Sequence, residues 1–173
     1  MRAASDIGRK ADITELPFAD ATFDVVLSQH VQMNVADKTR LYQEARRVLA
    51  DGGRLAIWDI TDGEQGQLDY PLPWADEPGL NHLVTSDRLR GVIESSGFAI
   101  EHWNDLSDEA AETMQTLLAF PPNPLGLHAF VTDFHEKAHK LTQAAPTDGS
   151  ESSRPSPSHE PCNTSSALLI GVG

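Results

Sequence analysis

Apolar and polar positions alternate along this chain in two different rhythms, and the switches between them mark out its elements. Residues 23–29, "FDVVLSQ", are apolar almost without interruption until Ser28 and Gln29. That is the pattern of a parallel strand covered on both faces. Asp37 stands where a helix N-cap belongs, and Leu41, Ala45, Val48 and Leu49 then fall on one stripe. Asp51-Gly52-Gly53 ends that helix, and residues 54–60, "RLAIWDI", read as a second buried strand. Strand, helix, Gly-Gly and strand make a βαβ unit, which demands a parallel pair joined by a right-handed crossover.

Farther on, residues 61–84 form a loop rich in Gly, Pro and Asp, long enough to suggest a function of its own. "TSDRLRGVIESSGF" predicts a capped helix with Leu89, Val92 and Ile93 inward and Gly97 closing it. "FAIEHWNDL" predicts a third strand. Ser107 opens another helix to about Ala119, with Asp108 and Glu109 in its favourable first turn. Pro121, Pro122 and Pro124 interrupt the chain before an amphipathic helix over about 126–142. Beyond Gln143 the composition turns Ser-, Pro- and Glu-rich with almost nothing to bury. The expected organisation is therefore a domain over 1–143 and a disordered tail over 144–173. The terminal "ALLIGVG" carries a lone Gly-x-Gly with no helix after it, a weak phosphate-loop signal against chance or an extra strand.

Charge narrows the choice of partner. The 173 residues carry a formal net charge of −13, which repels phosphate backbones and anionic lipid. Nucleic acid and membrane surfaces are thus unexpected, while a small neutral or cationic ligand suits the chain. The single cysteine, Cys162, permits no disulfide framework. "MRAASDIGRK" lacks the apolar core of a signal peptide, so a soluble, cytoplasmic protein is expected.

In an open α/β sheet, ligands sit beyond the carboxyl ends of the strands. Ser28-Gln29-His30, Asp59-Ile60-Thr61 and Asn104-Asp105 collect polar groups at that edge, and "ADITELPF" sets Asp12 before a tight turn. Taken alone, Asp12 is as readily an exposed turn residue, His30 a structural histidine, and Tyr70 and Trp74 rings that pack a loop. "QMN" and the "DK" at positions 37–38 read as capping and surface charge.

The run "ADITELPFADATFDVVLSQHVQMNVADKTRLYQEARRVLADGGRLAIWDI" resembles the second half of a class I S-adenosylmethionine-dependent methyltransferase, and the likeness extends over about residues 11–142. The shared features are an acidic residue before "LPF", then "FDVV", a helix ending in "RVL-x-x-GG", and a strand. A narrower similarity, to the sarcosine and dimethylglycine N-methyltransferases of the type 11 group, rests on "SQHVQMNVADKTRLYQEARRVLADGG", "YPLPWA" and "PPNPLGLH". The implied fold is an α/β, partial Rossmann-like methyltransferase sheet, parallel strands with helices on both faces. It lacks the first strands and the glycine-rich loop of that family.

Carried over residue by residue, the resemblance gives Asp12 and the Ile13 amide to the adenine of S-adenosylmethionine, and Ser28 and Gln29 to its methionine part. His30 would stand between cofactor and substrate as the catalytic group, with Asn34, Tyr70 and Trp74 on the side of a small-molecule methyl acceptor, and no metal. The narrower likeness implies an acceptor amine of the glycine, sarcosine or dimethylglycine kind, and aromatic faces attract the methylated ammonium groups such amines become. Methyl transfer from a sulfonium is an in-line displacement helped by alignment and by an unprotonated amine.

Eleven residues before "DITELPF" are too few for three strands and their helices. The expectation is therefore a chain that starts inside a domain, with the Val25–Leu27 strand as an open apolar edge. Such an edge favours poor solubility or a homodimer. The alternative function is a catalytically inactive, truncated methyltransferase that serves only as an interaction partner or remnant.

Overall fold

Residues 23–29 form the first strand because the β-branched Val25 and Val26 resist helical rotamers and, with Phe23, pack well on a pleated surface. In the computed structural model, which describes residues 8, 10–63, 68–119, 132–144 and 166–168, this strand is β1 (Phe23–Gln29). A short 3-10 turn, Gln32–Asn34, leads to helix α1 (Lys38–Val48). The Asp37 side chain accepts the Arg40 N–H at 2.9 Å, as an N-cap does.

Helix α1 ends at Val48, and Leu49 is already extended, so β2 (Leu49–Asp59) begins without a linker. The Gly-Gly pair lies inside that strand as a bulge. Phe23 pairs with Leu49 but Val25 with Arg54, so the intervening residues of β2 loop out. Gly52 takes φ +71°, and a Cβ on Gly53 would stand 2.9 Å from the Ala50 carbonyl oxygen and 3.2 Å from that of Asp24. Both positions need glycine for different reasons: one for its dihedral, the other for space.

The expected βαβ unit is present, with β1 and β2 parallel. Helix α2 (Ser86–Ser95) follows, capped by Thr85, whose side chain accepts the Arg88 N–H at 3.3 Å, and closed by Gly97 at φ +92°. Helices α3 (Ser107–Ala119) and α4 (Phe134–Ala144) come next. The last strand, β3 (Ser166–Leu168), lies antiparallel on β2 and gives the order β1-β2-β3.

One further expectation changes. Residues 98–106 form no strand; Phe98 is buried and Ile100 and Trp103 pack against the core, but no ladder receives them. Apolar residues alone do not make a strand without an edge to bond. The start of the final helix, with Leu127, Phe130 and Val131, lies outside the described residues.

The core sits on one side of the sheet. Leu55 and Ile57 from β2 meet Leu41, Tyr42 and Ala45 of α1 and Leu89 and Ile93 of α2. The other side, where Val25, Leu27 and Trp58 point, is 61%, 69% and 46% exposed at those residues. No helix among the described residues covers it, and none is long and apolar enough to cross a membrane.

Candidate functional site

The two parallel strands end side by side, with Gln29 opposite Trp58. His30 extends the ladder by donating its N–H to the Trp58 carbonyl at 2.8 Å, then leaves it at φ +52°. That left-handed conformation costs a residue with a Cβ about 1 kcal/mol. Asp59 keeps it in place. Its Oδ2 accepts the N–H groups of Val31 and Gln32, each at 3.0 Å, and its Oδ1 accepts that of Ile60 at 3.1 Å. Burial raises the Asp59 carboxyl above its ordinary pKa; the three N–H groups and His30 oppose that shift without cancelling it.

Gln32 is held from its other end as well. Lys38, the first residue of α1, is only 5% exposed, and its ammonium donates to the carbonyls of Gln32, Val35 and His82, the last at 2.7 Å. Burial draws this amine down to about 8, with Asp59 pulling the other way. The His82 N–H returns a bond to the Met33 carbonyl at 2.9 Å. The Gln32 side-chain amide donates to the Ile60 carbonyl. A turn with almost no regular structure is therefore bonded on every side.

The segment next to His82 carries the aromatic residues. Asn81 Oδ1 accepts the Trp74 indole N–H at 3.0 Å and the Leu83 N–H at 3.3 Å, and its Nδ2 donates to the Tyr70 hydroxyl at 3.0 Å. An amide side chain carries its donor and its acceptor on separate atoms and so serves all three groups at once. Tyr70 and Trp74 are thus brought together, half-buried, through a residue that sequence reasoning did not single out.

The loop bearing Asp12 runs along α1. Arg40 Nε donates to the Thr14 carbonyl at 3.0 Å, and the Leu16 N–H donates to Glu44 Oε2 at 2.8 Å. Arg47 donates to the carbonyls of Phe18 at 2.8 Å and Leu16 at 3.0 Å, and to Asp20 Oδ1 at 2.7 Å. Positions 40, 44 and 47 share one helix face. Arg40 lies in the first turn of α1, beside the strand ends, so Asp12 and Thr14 lie at that end too, and Asp20 at the far one.

Asp12 itself is exposed. Its Oδ1 accepts the Thr14 hydroxyl at 2.7 Å and the Thr14 N–H at 2.9 Å, and these two bonds hold the carboxyl below its usual range. Ile13 turns inward. With Ser28, Val31, Leu41 and Tyr42 it lines an apolar cavity of about 280 Å³ beside β1. The hydroxyls of Ser28 and Tyr42 and the Gln32 Oε1 are buried with no hydrogen-bond partner among the described residues. Burial raises the Tyr42 phenol, and Asp59 adds to that.

Some predicted residues therefore converge and others do not. Ile13 and Ser28 share a cavity wall. Strand alternation sends Gln29 to the opposite, open face of the sheet from Ser28, so the two do not form one surface. His30 and Asn34 are exposed at the two ends of the clamped turn. Asn104 and Asp105 offer no strand edge; Asp105 accepts the Ser107 N–H at 3.0 Å instead. Lys38, read as surface charge, is buried. One sign pointed to it: a cation in the first turn of a helix opposes the macrodipole and needs another reason to be there.

Residues 2–57 match the family described as "Methyltransferase domain". The chain is 45% identical over 100 residues to the 27-O-demethylrifamycin SV methyltransferase of Amycolatopsis mediterranei (strain S699), covering 56% of this chain and 37% of that protein. Over these residues the chain is similar to class I methyltransferases. It is 26% identical over 98 residues to a dimethylglycine N-methyltransferase of Parasynechococcus marenigrum (strain WH8102), covering 57% of this chain and 35% of the relative. Its fold superposes on a putative sarcosine dimethylglycine methyltransferase from Galdieria sulphuraria with a TM-score of 0.59, at 16% identity, over 93% of this chain and 57% of that one. Other curated relatives are spanned to between 40% and 56% of their length, so the chain corresponds to about half of a typical relative.

Proposed function

We propose that this chain takes part in S-adenosylmethionine-dependent methyl transfer to a small amine. One observation carries the reading: Asp12, Ile13, Ser28 and His30 lie at the same end of the β1–β2 pair, and the turn after His30 is bonded to the segment that orients Tyr70 and Trp74. In this reading the Asp12 carboxylate takes the adenine amino group on Oδ2, which has no bond among the described residues. The Ile13 amide serves the adenine ring and the Ser28 hydroxyl the methionine part. Because Gln29 points to the other face of the sheet, any role it has toward cofactor is through its backbone.

When bound, S-adenosylmethionine supplies an electrophilic methyl on sulfur. His30, exposed at the strand mouth, takes a proton from the incoming ammonium so that the amine lone pair is available. Tyr70 and Trp74, held in register by Asn81, offer π-faces to an ammonium that becomes more alkylated as the reaction proceeds. The paired rings and the similarity to a dimethylglycine N-methyltransferase support a glycine-type amine, and the 45% identity to the 27-O-demethylrifamycin SV methyltransferase makes a hydroxyl acceptor the competing choice. The test is methyl transfer from labelled S-adenosylmethionine to glycine, sarcosine and dimethylglycine, with a phenol for comparison. Label on the amines supports the reading; label on the phenol alone overturns the amine assignment.

A specific observation supports a second role, as an interaction partner. Val25, Leu27 and Trp58 put a contiguous apolar surface on the open side of the sheet, next to the outer edge of β1. An edge strand of this kind is a template for pairing with a second copy of the chain.

A further inference from the structure

We propose that Lys38 is a positioning residue, whose ammonium ties the His30–Asn34 turn to the Asn81–His82 segment and so sets the two walls of the acceptor site at a fixed separation. What those walls accept rests on the function proposed above; the clamp itself rests on geometry.

A buried lysine must satisfy its ammonium within the protein. Its ammonium carries three donors and no acceptor, and each one left unmade is costly out of water. Lys38 aims all three at backbone carbonyls: Gln32 and Val35 on the turn, and His82 on the facing segment. A residue serving only its own helix would bond neither the turn nor a chain 44 positions away. The charged group that acts on it is Asp59, which also holds the Gln32 N–H.

Two bonds then cross between the walls: Lys38 to the His82 carbonyl at 2.7 Å, and the His82 N–H to the Met33 carbonyl at 2.9 Å. Asn81, one residue earlier, fixes both aromatic rings. Displacing His82 therefore moves Tyr70 and Trp74 relative to His30, although Lys38 touches none of the three. Burial supports a fixed geometry as well, since Lys38 has no solvent to fall back on.

The experiment needs no ligand. Amide and indole hydrogen exchange by NMR is compared between wild type and Lys38→Met, which keeps the bulk and removes the donors. Exchange at the His82 amide and the Trp74 indole should rise on the order of tenfold or more, while the Ala56 and Trp58 amides, which face β1 in the parallel ladder, keep their protection. Lys38→Cys in a Cys162→Ser background, aminoethylated to rebuild an ammonium of nearly the same length, should restore the protection. The proposal is overturned if His82 and Trp74 are unaffected, if they lose protection together with Ala56 and Trp58, or if aminoethylation restores nothing. A failure of S-adenosylhomocysteine to bind the wild-type chain would count against the proposed function and leave this comparison intact.

Discussion

His30 combines two properties that a single substitution can separate. Its backbone lies at φ +52°, which glycine adopts freely, and its imidazole is exposed at the strand mouth. His30→Gly therefore keeps the turn and removes the ring. The expected result is a loss of methyl transfer of about 10²-fold, with the affinity for S-adenosylhomocysteine retained. Unchanged turnover would remove His30 from the chemistry. Glu44 makes a different kind of prediction. Its bonds from Arg47, and then from the Leu16 N–H, hold its carboxyl down to about 2, although burial works against them. A depressed carboxylate contributes stability that is present above its unfolded value of about 4.3 and is lost as pH falls through the folded one. Chemical denaturation of wild type should weaken between about pH 4.3 and 2, and Glu44→Gln should lack that part of the slope. Parallel curves for the two would contradict the assignment.

The elements that were legible in the sequence are those whose signals are local. Asp37 and Thr85 cap α1 and α2 from their own first turns, Gly97 closes α2, and the apolar run of β1 needs no distant information to be recognised. Residues 98–106 show the limit of that reading, because a strand is made by its neighbour and none receives this one. The roles of Lys38, Asp59 and Asn81 were illegible for a related reason. Each bonds backbone or rings outside its own element, and a local sign such as the lysine in the first turn of α1 shows that a partner exists but not which one. The alternation that separates Ser28 from Gln29, by contrast, was readable from period two alone. At this scale the Gly-Gly bulge is the sharpest test. Gly53→Ala forces a Cβ against the Ala50 and Asp24 carbonyls and should destabilise the fold by roughly 1–3 kcal/mol, read as a lower denaturation midpoint. An unchanged midpoint would mean that the bulge relaxes at no cost.

For the whole molecule, helices α1 and α2 cover one face of the sheet, and the other face presents Val25, Leu27 and Trp58 to solvent. If that surface and the β1 edge join two copies, sedimentation equilibrium should show a dimer at micromolar concentration and a monomer for Leu27→Lys. A monodisperse wild-type monomer would rule the homodimer out. The clamp around residues 30–35 and the loop bound along α1 meet at the same end of the sheet, and the functional account depends on that meeting. It is tested most directly by isothermal titration of the full chain with S-adenosylhomocysteine. The account predicts saturable one-to-one binding that Asp12→Ala weakens by about tenfold, or about 1.4 kcal/mol; no heat of binding at millimolar ligand, or equal affinity for the variant, would contradict it.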